Sequence, residues 1–159
     1  MSDQEEIRNL IARYSHCADD SDYEGYQSLF TRDGCLIENG VAVPRSRLPT
    51  LMRIYDKVKR EQPQPFGGKH LQINTTIEVD GDRGRAVTDL LSVQLRPDTG
   101  WTIGGNGRYT DELAREDGRW RFRSRTVTWY GDFPAHPRDA AFTERLHDMI
   151  KEALSAEET

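Results

Sequence analysis

Residues 70–95 read HLQINTTIEVDGDRGRAVTDLLSVQL, and this stretch decides the fold. Its first part, His70 to Val79, is rich in Thr, Ile and Val. Branched Cβ atoms restrict χ1 and favour extended backbone, so it reads as a strand. Asp80-Gly81 is a hairpin turn into a second strand, Arg85 to Leu95. Pro97-Asp98-Thr99-Gly100 turns into Trp101 to Leu113, and Glu116-Asp117-Gly118 turns into Arg119 to Tyr130. The second half of the chain is therefore a meander of four long antiparallel strands. Gly104, Gly105 and Gly107 fall inside the third of them. Glycine weakens a strand interior, so this cluster predicts a bend or bulge that curls the sheet.

Upstream, the apolar period becomes helical. Ser2 and Glu5 have the spacing of a capping box. Ile7, Leu10, Ile11, Tyr14, Cys17 and Ala18 follow on one helical face, as far as Asp19-Asp20-Ser21-Asp22. Asp22 caps a second short helix, Tyr23 to Phe30. Arg32-Asp33-Gly34 breaks it, Cys35 to Glu38 is a short strand, and Asn39-Gly40 is a turn. Arg47 to Arg60 is a helix with Pro49 in its first turn. Residues 62–68 form a loop, and residues 137–155 form a final helix with Phe142, Leu146, Ile150 and Leu154 in phase. The order predicts an α+β fold: a curved antiparallel sheet wrapped around N-terminal helices, leaving a cone-shaped cavity. One domain is expected over residues 1–159, with its core in 5–131.

Composition narrows the function. The chain has 159 residues, 35% hydrophobic and 31% charged, enough for one domain with a real core. No apolar run approaches a membrane span. The acidic start, Met1 to Glu6, lacks the basic and apolar regions of a signal peptide, which predicts a cytoplasmic protein. A net charge of −5 argues against nucleic acid as a partner. Cys17 and Cys35 make neither a disulfide framework nor a zinc site. No P-loop, dinucleotide fingerprint or HExxH motif occurs, and the spacing of the four histidines does not favour a metal. Neither metal nor cofactor is expected.

What stands out is a set of polar residues arriving from distant segments: Tyr14, Asp19, His70 and Arg125. An acid, a base and a cation converging on one pocket would serve proton transfer on a small molecule. Each has a plainer reading. His70 is also a core histidine at a strand start. Asp19 is also a cap or loop residue, with Asp20 and Asp22 as competitors. It lies off the Ile7–Tyr14 stripe, so facing inward requires it to leave helical geometry. Tyr14 is also a core aromatic. Arg125 shares strand parity with Arg121, Arg123 and Trp129, so it is also part of a solvated ladder. Trp129, Phe66, Tyr55 and Met52 are candidates to line the cavity, with core packing as the competing reading. Asn74 and Asn106 are candidate polar contacts.

Five segments carry a family resemblance: IRNLIARY (7–14), SLFTRDG (28–34), HLQIN (70–74), GRYTDEL (107–113) and DGRWRF (117–122). Together they resemble the SnoaL-like branch of the nuclear-transport-factor-2-like superfamily, from about Glu5 to Tyr130. The resemblance implies a curved sheet on helices, an apolar pocket and a homodimer or homotrimer. Within the branch the chain looks most like scytalone dehydratase, lindane dehydrochlorinase and bile-acid 7α-dehydratase, which use an Asp–His pair. Asp19 and His70 match that pair. Arg125 falls where the dehydrochlorinase has its arginine, and Tyr14 where the bile-acid enzyme has its tyrosine. The second histidine of scytalone dehydratase has no counterpart, and the Arg-x-Asp motif of limonene epoxide hydrolase is absent around Asp89. Glu38 lies roughly where ketosteroid isomerase places its base, but no partner acid stands out within residues 100–113. The resemblance implies a cofactor-independent, dehydratase-like lyase or isomerase acting on a small hydrophobic cyclic substrate. A non-catalytic binding or scaffold subunit, as in dioxygenase small subunits, and a polyketide cyclase are the alternatives.

Overall fold

A computed structural model describes residues 1–38, 40–61, 67–130, 148–153 and 155. Helices α1 (Asp3–Asp19) and α2 (Tyr23–Ser28) come first, then strands β1 (Phe30–Glu38) and β2 (Val41–Pro44). A 3-10 turn, Arg45–Arg47, leads into α3 (Leu48–Arg60). Strands β3 (Gly67–Asp80), β4 (Arg83–Arg96), β5 (Gly100–Glu116) and β6 (Arg119–Trp129) complete one six-stranded sheet. Its order is β2-β1-β6-β5-β4-β3. The fold is α+β, as the pattern predicts. The sheet is mixed, however, because β1 runs parallel to β6. Residues 148–153 are helical. Residue 155 is helical too. Residues 137–147 and 154 of the expected 137–155 helix, and Phe66, lie outside the described residues.

Local chemistry explains most boundaries. Ser2 and Glu5 form the expected capping box at the start of α1. Arg32-Asp33-Gly34 is not what breaks the second helix: α2 already ends at Ser28, and these residues lie inside β1, which begins at Phe30, as an irregularity between Phe30 and Cys35. Gly34 is needed there, since a Cβ would come within 2.8 Å of the Phe122 carbonyl.

The core lies between the apolar stripe of α1 and the concave sheet face. Ile7, Leu10, Ile11, Tyr14, Cys17 and Ala18 pack towards Ala86, Leu90, Tyr109, Leu113, Trp120, Phe122 and Val127. Burying a large side chain of this kind contributes roughly 1.5–3 kcal/mol. Besides the irregularity in β1, three bulges shape the meander of β3 to β6. Gly104 is the extra residue between β4 and β5, inside the predicted glycine cluster. Arg123 is the extra residue between β5 and β6. The third falls between Ile73 and Thr76, where Asn74 adopts φ +54°. Asparagine tolerates that conformation better than most side chains. The convex face exposes Leu71, Ile73, Leu95, Trp101 and Ile103. Among the described residues no helix is long and apolar enough to cross a membrane.

Candidate active site

The geometry starts from two repeats that nearly match. Four residues along a helix advance about 6 Å, and two residues along a strand advance about 6.7 Å. Ile11, Ser15 and Asp19 form a row on α1, one residue per four. Gln72 and His70 form the facing row on β3, running the opposite way. The rungs meet: Gln72 Nε2 donates to the Ile11 carbonyl and the Ser15 hydroxyl, both at 2.7 Å. One rung on, His70 Nδ1 lies 2.6 Å from Asp19 Oδ1.

Asp19 therefore reaches His70 from within α1, on a second stripe beside the apolar one. It does not leave helical geometry to do so. Its side chain is 3% exposed and that of His70 26%. β3 is an edge strand, and the His70 backbone N–H also donates to the Asp19 carboxylate, at 3.3 Å to each oxygen. One carboxylate thus holds two donors of a single residue. Held this way, a neutral imidazole carries its proton on Nδ1 and presents Nε2 as acceptor. Among the described residues Nε2 has no hydrogen-bond partner. The competing aspartates are occupied elsewhere. Asp20 faces solvent beside Lys69, and Asp22 caps α2 through the Gly25 N–H at 2.9 Å. Lys69 Nζ also approaches Asp19, at 3.7 Å.

Arg125 is fully buried, which its sequence parity does not suggest. The Arg123 bulge explains this. It flips the alternation, so Arg125 joins Trp120, Phe122 and Val127 on the concave face, while Arg121 and Arg123 do not. Its guanidinium carbon lies 4.0 Å from the centre of the Tyr14 ring, 3.8 Å from Tyr109 and 4.5 Å from Phe122. Nη2 donates to Gln72 Oε1 at 2.5 Å. Nε lies 3.1 Å from Asp111 Oδ1, at ion-pair distance but misaligned for a hydrogen bond. Asp111 faces Arg125 directly across β5 and β6 and is itself 0% exposed. Burial outweighs the neighbouring guanidinium and pushes the Asp111 carboxyl up to about 6. Residues 100–113 thus hold a buried acid after all, on the inward parity of Tyr109 and Leu113.

Tyr14 lies under this guanidinium, and its hydroxyl accepts from Tyr26 at 2.6 Å. Burial raises Tyr14, Tyr26, Tyr55 and Tyr109 well above the usual phenol range, so all four stay neutral. On the far side, Tyr55 donates to Glu38, and Trp129 Nε1 approaches the same carboxylate at 3.4 Å. Gly105 and Gly107 share the inward parity between these two sides. At Gly107 a Cβ would come within 2.6 Å of the Thr128 carbonyl and 3.3 Å of the Trp129 ring, so glycine there lets β5 pack closely against β6. Met52 is a core residue, 3% exposed. Asn106 has the opposite parity to Tyr109, on the convex side, and Asn74 donates to Asp89 at 3.2 Å. Gln72 and Asp111 are absent from the sequence-based site, and Glu38 enters it only through the ketosteroid isomerase comparison. Gln72 lies two residues from His70 on the same strand face, but its residue type does not set it apart.

A family profile described as a SnoaL-like domain matches residues 1–126. The chain belongs to the SnoaL-like family. Its fold is shared by a Mycobacterium tuberculosis protein of unknown function at 27% identity, covering 90% of this chain and 85% of that one, with a TM-score of 0.74. An NTF2-like protein with a cystatin-like fold from Novosphingobium aromaticivorans is 26% identical, covering 84% and 86%, with a TM-score of 0.69. ActVI-ORFA from Streptomyces coelicolor is 23% identical, covering 82% and 97%, with a TM-score of 0.71. A search of curated proteins gives no significant match. In this SnoaL-like chain the partly exposed His70 on β3 and Glu38 on β1 lie on either side of the strands β6, β5 and β4 that carry the buried aromatic residues.

Proposed function

We propose that this SnoaL-like protein is a cofactor-independent lyase or isomerase, most concretely a dehydratase, acting on a small, mostly apolar cyclic substrate. The observation that carries this reading is the 2.6 Å contact between Asp19 and the half-buried His70. His70 Nε2 removes a proton from a C–H beside a carbonyl. Asp19 stabilises the imidazolium that forms. The electron pair passes into the carbonyl system as an enolate. In dehydration it then expels a hydroxyl group, which leaves as water with the proton returned by His70. Tyr14 and Arg125, sealed beneath, supply the positive side of the field that stabilises the enolate. Tyr55 and Trp129 line the other side, around Glu38.

The same proposal includes self-association as a homodimer or homotrimer. The exposed Leu71, Leu95, Trp101 and Ile103 make a convex apolar face that a second copy would cover.

A thermal-shift screen of apolar ring compounds bearing carbonyl and hydroxyl groups tests the reading. A ligand at 100 times its Kd stabilises the folded form by about 2.7 kcal/mol. The compounds that bind are then followed in deuterated water. Deuterium entering the C–H beside the carbonyl, or loss of water, supports proton transfer. Tight binding with neither reaction points to a binding module.

A further inference from the structure

Gln72 uses its whole amide. The two Nε2 hydrogens go to the Ile11 carbonyl and the Ser15 hydroxyl, and Oε1 takes the Arg125 Nη2–H. The donor end faces only acceptors on α1, and the acceptor end faces only a cation, so one amide orientation satisfies all three. Behind Arg125 stands Asp111, its facing partner on β5. Gln72 therefore joins three elements at one point: α1, the edge strand β3 and the buried charge pair of β5 and β6.

That point is one rung from the Asp19–His70 contact. A slip of β3 against α1 by one residue would turn His70 to the convex face and break the contact outright. A smaller shift along the strand would lengthen a 2.6 Å contact that depends on sub-ångström placement. Among the described residues, the polar side-chain bonds between α1 and β3 on this row are those of Gln72 and those of Asp19 itself.

We propose that Gln72 is a positioning residue: it transmits the fixed location of the Arg125–Asp111 pair to β3 and so holds the His70 ring against Asp19. It touches no reacting atom. Its relevance to turnover rests on the proton-transfer reading, but the positioning is measurable without substrate.

The experiment is 15N NMR of the histidine ring nitrogens in the full chain, with a His70→Ala sample to assign the His70 signals. Gln72→Met keeps the length and removes every bond. Gln72→Glu keeps an acceptor for Arg125 and removes both donors to α1. Wild type is expected to show one His70 tautomer, protonated on Nδ1. In Gln72→Met and Gln72→Glu the two ring nitrogens should move towards averaged values, and the Nδ1–H should exchange with water at least tenfold faster. Ser15→Ala, which removes a single bond and leaves the apolar core intact, should shift the signals less, in the same direction. This variant decides the matter if the Gln72 variants do not fold. A His70 ring unchanged in folded variants that merely melt earlier would reduce Gln72 to a structural tie and overturn the proposal. A wild-type ring already mixed between tautomers would overturn both the proposal and the proton-transfer reading. A held ring together with full turnover in His70→Ala would overturn the proton-transfer reading alone.

Discussion

Arg125 and Asp111 face each other across β5 and β6 with Nε and Oδ1 3.1 Å apart, and neither is exposed to solvent. Such a pair is costly to bury and more costly to break, because one uncompensated charge then stays behind. Arg125→Met and Asp111→Asn should each lose about 3–5 kcal/mol of stability in urea unfolding. The double variant Arg125→Met with Asp111→Leu should lie closer to wild type than either. Single variants within about 1 kcal/mol of wild type would mean the pair carries little charge coupling.

The same pair sets a pH dependence of definite sign. The Asp111 carboxyl rises from 3.8 to about 6 on folding. Between these values the native state holds a proton that the unfolded chain has released. Stability from this group is therefore complete below pH 3.8 and is lost as pH rises through about 6. Two units correspond to at most about 3 kcal/mol. Asp3, Glu5, Asp33 and Asp89 are lowered by hydrogen bonds and act in the opposite sense. The clean measurement is wild-type stability minus that of Asp111→Asn, which should fall across that interval. A flat difference would contradict the shift.

Trp101 is 64% exposed on the convex face, opposite Leu95 in the β4–β5 register and beside Ile103. If a second copy covers this face, Trp101→Lys should lower the mass in solution to that of one chain, read by sedimentation. The Asp19–His70 contact, on the concave side, should survive. A wild-type protein that sediments as a monomer, or an unchanged oligomer in the variant, would place the interface elsewhere.

Much of this architecture is legible in local pattern. The stripe from Ile7 to Ala18 and the Thr, Ile and Val of residues 70–79 mark α1 and β3, since each period reflects one buried face. The glycines at 104, 105 and 107 mark the bend. The parallel pairing of β1 with β6 is not legible, because it joins Leu36 to Arg125, far apart in sequence, with no turn between them to read. The burial of Arg125 is hidden for a different reason. One extra residue at Arg123 inverts the alternation, and unlike the bulge at Gly104 this one has no glycine to mark it. Asp19 illustrates a third case. Ile11, Ser15 and Asp19 are a genuine helical row, but a row of mixed polarity does not register as a stripe. Gln72 was hidden by its own type: a glutamine on a strand is usually solvated, and only the three bonds it makes distinguish it.

The central claim is that His70, held by Asp19, moves the proton. The most direct measurement is the rate of deuterium exchange or water loss on a ring compound that binds, compared among wild type, His70→Ala and Asp19→Asn. Both variants should fold, and both should react at least about 10²-fold more slowly than wild type. A wild-type rate in either variant would contradict the account.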